Sequence, residues 1–180
     1  MTGSAKMTNP TPPIVDIKNA AEAADLYSNL LDTADVGLVV IGSDHAICHW
    51  NQWMQSRSGI PADQAIGKRL SAVFTETRLG RLCQAIKDCL EFGMPAVISP
   101  SLNQGALPLR PLPQFAATFD RMEQSIRVHP ITTSRGEKLC SLTVRDVTLA
   151  VQRDRLLRHQ AAELAELVTQ TRRSEDRTRA

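Results

Sequence analysis

The segment from Val36 to Asn51, VGLVVIGSDHAICHWN, is the most informative part of this chain for predicting its fold. Its short β-branched runs are bounded by turn formers, which predicts one strand from Val36 to Gly42 and a second from Ala46 to Trp50. The residues between them, Ser43 to His45, are typical of the turn of a hairpin. Because the first strand barely alternates between apolar and polar residues, we expect both strands to be buried on nearly two faces.

Short helices are predicted after the hairpin. Asn51 directly follows a strand, where its side-chain oxygen is suited to accept an orphan amide as a helix N-cap. Gly59 and Gly67 end the next two short helices, because glycine adopts positive φ without strain. A longer amphipathic helix is predicted over 75–92 and is ended by Gly93. Its apolar face carries Leu79, Leu82, Cys83, Ile86, Cys89 and Leu90.

Three more strands and a long helix complete the pattern. The strands are predicted at 96–99, 122–131 and 137–147, and the last alternates apolar and polar residues as a half-buried antiparallel strand does. Between them, the segment 100–120 holds four prolines and is predicted to be irregular. Residues 148 to about 174 are predicted to be helical. This order predicts an α+β fold: a five-stranded antiparallel sheet, flanking short helices, an N-terminal helix and a long C-terminal helix.

The chain divides into four predicted segments. Residues 1–17 are polar and proline-rich and are expected to be a disordered lead-in. A flanking helix is expected at 18–34, the sheet domain at 35–148, and a C-terminal helix with its linker at 149–180.

The composition excludes several classes of protein. The net charge is +2 and 4% of the residues are aromatic, so neither a basic nucleic-acid footprint nor a base-stacking platform is expected. No apolar run approaches the roughly 18 residues that span a bilayer. The first nine residues lack the apolar core of a secretory signal, and the four cysteines form no CxxC pair. We therefore expect a cytoplasmic protein with reduced thiols, and neither nucleic acid nor membrane as a partner.

The order of elements and three local words resemble the PAS (Per-Arnt-Sim) family. The opening hairpin closed by Asn51 resembles the family's first two strands. Ser58-Gly-Ile-Pro61, followed by Ala65-Ile-Gly-Lys68, resembles its "tG…eeliGk" stretch. Arg145-Asp-Val-Thr148 resembles the D-[IV]-T motif that ends the PAS core and launches a signalling helix. The resemblance covers residues 25–148.

The resemblance implies a sensory module that is not itself an enzyme. Such a module binds a small ligand or cofactor in its core and relays the state through a dimerising C-terminal helix to an effector domain or partner protein. The segment 93–113 resembles an insertion in PAS modules that precede bacterial diguanylate cyclases, whose catalytic domain would lie beyond Ala180. A ligand-free PAS module used for dimerisation and protein contact is the alternative. We found no Ser-His-Asp arrangement and no glycine-rich phosphate loop in the sequence.

A ligand cavity is expected between one sheet face and the helices. Aromatic rings flank flavins, so a non-covalent flavin stays open; the competing interpretation is that Trp50 or Trp53 simply fills the core. The expected lining consists of Trp50, Trp53, Met54, Phe74, Leu82, Ile86, Ile126, Val128, Leu142 and Val144.

Other cofactors are disfavoured by the residues present. The family's common haem binders use a histidine on the long core helix, and the helix predicted over 75–92 has none. The reactive cysteine word of light-sensing flavin domains is absent as well. Cys48 and His49 are adjacent on a strand and point to opposite faces, so no zinc site is expected. Cys83 and Cys89 lie on different sides of a helix and are expected to be small apolar residues.

The C-terminal helix is the expected signal relay. Asp146 and Thr148 lie at the junction between sheet and helix, where either side chain can cap the outgoing helix. A partly apolar heptad seam follows, which predicts weak parallel pairing of two helices; a helix folded back on the domain is the alternative. The seam has position a at Leu157, Leu164 and Thr171, and position d at Gln160, Leu167 and Ser174.

Overall fold

The computed structural model of this chain describes residues 19–75, 79–101, 106–111 and 121–179. The predicted lead-in at 1–17 lies outside these residues, as do parts of the predicted insertion at 100–120.

Six helices are present in the described part of the chain. They are α1 Ala20–Thr33, α2 Gln52–Ser58, α3 Ala62–Ala65, α4 Leu70–Val73, α5 Gly80–Phe92 and α6 Thr148–Arg179. The cap residue Asn51 begins α2 as predicted, because its side chain accepts the amide of Met54 at 3.2 Å. Gly59 and Gly93 end α2 and α5 in the left-handed region, with φ of 73° and 69°.

Five strands form one antiparallel sheet in the order β2-β1-β5-β4-β3. The fold class predicted from the sequence is therefore confirmed, and strand boundaries differ from prediction by one or two residues. The strands are β1 Gly37–Ile41, β2 Ile47–Trp50, β3 Ala96–Ile98, β4 Gln124–Thr132 and β5 Lys138–Asp146.

The expectation that β1 is buried on two faces is wrong. Val39 and Ile41 are buried, whereas Leu38 and Val40 between them are only half-buried. The helices cover one face of the sheet, and the opposite face carries polar side chains such as Arg127. A run without polar residues therefore correctly predicts a strand in this chain, but it does not show whether one or both faces of that strand are covered by other elements.

The core lies between the covered face of the sheet and the helices α2 to α5. Ile126 of β4 is paired with Val144 of β5 across the sheet, and both are fully buried. Leu82 and Ile86 of α5 pack in the same cluster from the other side. Alternate residues of each strand and one face of each helix therefore share a single core, as their periodicities predict.

Part of the predicted irregular insertion belongs to this core. Leu107 and Leu109 are buried, as is Met122 just before β4. The buried side chain of Gln124 holds this segment by accepting the amide of Leu107 at 3.1 Å and donating to the carbonyl of the same residue. The described part of the insertion is thus packed against the sheet.

The last helix, α6, leaves the domain. Its described side chains from Arg153 to Thr169 are all exposed, so in this stretch the helix is not folded back on the sheet domain. The helix also continues beyond its predicted end near residue 174, to Arg179. A 32-residue helix with an exposed apolar row has surface available for a partner.

Among the described helices, none is long and apolar enough to cross a membrane.

Candidate functional site

The ten residues predicted to line a ligand cavity are brought together in one cluster. All of them are buried, and they come from α2, α4 and α5 or their flanking residues on one side and from β2, β4 and β5 on the other. Packing of this kind is also that of a filled hydrophobic core.

Trp50 is fixed by protein groups. Its indole N–H donates to the carbonyl of Ile60 at 3.1 Å, and its ring lies against Phe74 with 5.9 Å between ring centroids. A buried tryptophan needs a partner for its N–H, and this one has it within the chain. The arrangement favours the core-filling interpretation for Trp50.

Trp53 lies at the edge of the core, beside the start of β1. The guanidinium of Arg57 stacks over its ring at 5.7 Å from the centroid. Gly37 faces the same ring: a Cβ atom there would lie 2.8 Å from it and would also collide with the sulfur of Met54. Glycine at this position therefore lets α2 approach the sheet closely.

A cleft of about 670 Å³, which we call the joint cleft, opens beside Trp53. It lies where β5 leads into α6, so its walls belong both to the sheet domain and to the outgoing helix. The lining residues are Asp35, Val36, Trp53, Arg145, Asp146, Val147, Leu149 and Ala150.

A second cleft of about 300 Å³, which we call the rim cleft, opens at the other end of β1. It lies between the turn of the hairpin, α4 and α5. Of the ten residues predicted to line a cavity, Ile86 borders this cleft and Trp53 borders the joint cleft, whereas the other eight border neither. The lining residues are Ile41, His45, Arg69, Leu70, Ser71, Cys83, Ile86 and Lys87.

The junction between sheet and helix is built by Asp146 and Thr148. One carboxylate oxygen of Asp146 accepts both the backbone amide of Thr148, at 2.9 Å, and its hydroxyl, at 2.6 Å. The Thr148 hydroxyl in turn accepts the amide of Glu123 at 3.0 Å. An acidic group in this position caps α6 and also complements the positive end of the helix dipole.

A second contact joins α6 to the start of β4. Arg155 donates to the carboxylate of Glu123 at 2.7 Å, and the amide of Val147 donates to the carbonyl of Glu123 at 2.9 Å. The other carboxylate oxygen of Asp146 is buried and has no hydrogen-bond partner among the described residues. The second carboxylate oxygen of Glu123 is likewise buried without a partner among the described residues, so the junction combines a satisfied hydrogen-bond chain with two free acceptors.

Two cysteines meet in the core, a contact that no local sequence pattern predicted. Cys89 of α5 and Cys140 of β5 are both buried, and their side chains are in hydrogen-bonding contact. Burial, together with this contact, raises the pKa of Cys140 far above the ordinary thiol range. Burial also raises the pKa of the half-buried Cys83. The thiols of Cys140 and Cys83 are therefore held in the neutral form at neutral pH.

The described residues contain no group of three or more His, Cys, Asp and Glu side chains that could hold a metal ion.

Comparison with known proteins agrees with this geometry. The family model described as the PAS fold matches residues 25–91. A sensory box sensor histidine kinase from Vibrio cholerae is similar in structure, with 26% sequence identity and a TM-score of 0.50; the match covers 71% of this chain and 94% of that one. An RNA-binding Light-Oxygen-Voltage receptor matches with 17% identity and a TM-score of 0.56, over 87% of this chain and 42% of that one, which shows the fold alone. No curated protein matches this sequence.

The five-stranded antiparallel sheet, the short helices on one face and the outgoing helix define a sensory module of signalling proteins. The sheet domain of this chain has the PAS fold.

Proposed function

We propose that this chain is a cytoplasmic sensor whose PAS core binds a small molecule and whose α6 carries the state of the core to an effector. The effector is either fused to the chain or a separate partner protein. We place the ligand among the ten buried core residues predicted from the sequence, reached through the joint cleft or the rim cleft. The chain itself carries no chemistry in this proposal.

The junction between β5 and α6 is the main support for this proposal. Trp53 of the core and Leu149 and Ala150 of α6 line the same joint cleft, and Asp146 caps the helix from within it. A molecule that displaces Trp53 therefore changes the surroundings of the first turn of α6. The Thr148–Glu123 and Arg155–Glu123 bonds make this turn part of the sheet domain, so a shift of the strand ends also moves the helix.

Two copies of the chain are proposed to pair through α6. The predicted seam is exposed in the single chain: Leu157 is 54% exposed, Leu164 63% and Leu167 58%. Such a row is typical of a helix whose partner is a second helix. The polar Gln160 within the row weakens the pairing, so that two alternative registers of the paired helices can compete, as a switch requires. The relay residues of the proposal are Asp146, Thr148, Leu157, Gln160, Leu164 and Leu167.

The effector proposed here belongs to a bacterial signalling enzyme. The sensor histidine kinase similar to this chain favours a kinase, and the resemblance of the insertion favours a diguanylate cyclase. A second candidate function, dimerisation without any ligand, is supported by Trp50, whose hydrogen bond and ring contact are both supplied by the protein.

An absorption spectrum of the freshly purified protein, followed by mass spectrometry of what is released on denaturation, tests the ligand. We expect a released small molecule, and a flavin spectrum if that molecule is a flavin; a Soret band would reveal haem in spite of the missing helix histidine. A colourless protein that releases nothing would favour the ligand-free dimerisation module.

A further inference from the structure

The rim cleft joins an apolar floor to a cationic edge. Its floor is formed by Ile41, Leu70 and Ile86, which are core residues exposed by 1%, 3% and 4%. A molecule lying on this floor would touch the same α5 side chain, Ile86, that the proposed ligand site uses. The cleft therefore borders the hydrophobic core at the end of β1 away from α6.

Three basic side chains stand at the edge of this cleft. They are supplied by separate elements: His45 by the hairpin turn, Arg69 by the residue before α4, and Lys87 by α5. The bridge between Ala46 and Arg69 brings two of these elements side by side. None of the described residues that line the cleft is acidic.

These cations are not neutralised by strong ion pairs. Lys87 lies 3.9 Å from Glu91, in an exposed pair of a kind that contributes little in water. No described acidic residue lies within ion-pair distance of Arg69. His45 is held at a positive φ of 66°, an uncommon conformation outside glycine that is often found at binding sites.

We propose that the rim cleft binds an organic anion with a single apolar chain, such as a medium-chain carboxylate. The anionic head lies between Arg69 and Lys87, within reach of His45 and the Ser71 hydroxyl, and the chain lies on Ile41, Leu70 and Ile86. This inference rests on the proposed sensory function, because it names a class of ligand for the sensor at a cleft that shares Ile86 with the predicted core site. Guanidinium and ammonium groups bind carboxylates strongly, and the apolar floor adds affinity with each buried methylene.

The size of the cleft and its two-sided chemistry separate this ligand from simpler ones. About 300 Å³ is at the small end of ligand sites, which suits one short chain and excludes a large ring system. An inorganic anion would leave the floor in contact with water, and a neutral alcohol would leave the cations unpaired. Both parts of the molecule are therefore needed.

The test is calorimetric titration of the full chain with octanoate, hexanoate, acetate and octanol. We expect octanoate to bind and hexanoate to bind about 16-fold more weakly, since each of the two missing methylenes is worth about fourfold in affinity. Acetate and octanol are expected to bind at least tenfold more weakly than octanoate.

Two variants test the cationic edge. Arg69→Gln and Lys87→Gln are each expected to weaken octanoate binding about three- to tenfold, as the loss of one charged hydrogen bond at a partly exposed site predicts. Arg127→Gln is the control, because it removes the same charge from an exposed position of β4 on the opposite face of the sheet. The four-ligand series on the unchanged protein does not depend on how any variant folds.

Two results would overturn the inference. Equal binding of octanoate and octanol, unaffected by the Gln variants, would show an apolar site without anion selection and would leave the proposed sensory function standing. The absence of octanoate binding would exclude this ligand class. In that case the molecule released on denaturation still tests the sensory function separately.

Discussion

Asn51 joins four segments of the chain through one buried side chain. Its oxygen accepts the amides of Leu38 at 3.0 Å and Met54 at 3.2 Å, and its amide donates to the carbonyls of Leu31 at 2.9 Å and Val36 at 3.0 Å. The residue is fully buried. Its hydrogen-bonding capacity is therefore used by α1, the segment before β1, β1 itself and α2.

Replacing Asn51 by Leu is expected to destabilise the fold by at least about 3 kcal/mol, because the substitution leaves four backbone groups without their partner. Urea unfolding of both proteins measures the difference. Asn19→Ala is the matched control: it removes a single exposed cap bond at the start of α1 and should cost about 1 kcal/mol. Equal losses in the two variants would show that the Asn51 network does not stabilise the domain as described.

The buried thiol of Cys140 makes the free energy of unfolding depend on pH. Because burial raises its pKa in the folded chain, the unfolded chain releases this proton first, from about pH 8.5 upward. The free energy of unfolding is therefore at its full value below about pH 8.5 and decreases as pH rises further. Urea unfolding between pH 7 and 10 should show this decrease, and Cys140→Ala, though less stable throughout, should show a smaller one. An equal slope in both proteins would contradict the assignment to Cys140.

The junction of β5 and α6 is the element on which the proposed relay depends. Thr148 is 1% exposed and uses its hydroxyl both as donor to Asp146 and as acceptor from Glu123. The hydroxyl thereby connects the end of β5, the start of β4 and the first turn of α6. A single atom thus holds three elements in one arrangement.

Thr148→Val keeps the shape of the side chain and removes this atom. We expect the fold to lose about 1–3 kcal/mol and the amides of Val147 and Val151 to exchange faster with deuterium, because the first turn of α6 is no longer held to the sheet. Thr169→Val is the control, since the Thr169 hydroxyl bonds only to the Ala165 carbonyl on an exposed part of α6. Unchanged exchange at the junction would argue against a rigid coupling.

Local patterns in the sequence predicted the order of the helices and strands. Features that depend on contacts between residues distant in the sequence, such as the burial of Leu107, were not predicted. The cap at Asn51 and the stops at Gly59 and Gly93 depend on neighbouring residues, and all three lie where they were predicted. The burial of Leu107 depends on Gln124, 17 residues away, and no local pattern reports such a bond. The insertion was therefore predicted as irregular although part of it is core.

The residues predicted to line the ligand cavity also show which features a local pattern can predict and which it cannot. Periodicity correctly identified one buried face of α5 and of β5, so all ten residues lie in one cluster. Periodicity cannot show where that cluster opens to solvent, because a cleft depends on how separate elements meet at their ends. His45, Arg69 and Lys87 converge from three elements and were missed for that reason.

The exposed apolar seam of α6 indicates that the whole protein is a dimer. The exposed seam through Leu164 should hold two chains together, with Ala161 and the 52%-exposed Val168 widening its apolar surface. Leu164→Lys is expected to convert a dimer to a monomer in light scattering after size-exclusion chromatography. Leu156→Lys, at a similarly exposed position outside the seam, should leave the dimer intact. Two variants with the same mass as the unchanged protein would contradict pairing through this seam.

Native mass spectrometry of the freshly purified full chain reports bound small molecules and oligomeric state together, so it tests the sensing core and the pairing of α6 in one experiment. We predict a dimer whose mass exceeds twice that of the chain by one or two copies of a small molecule, which is lost on denaturation. A monomer at the mass of the bare chain would contradict both the sensing core and the relay through α6.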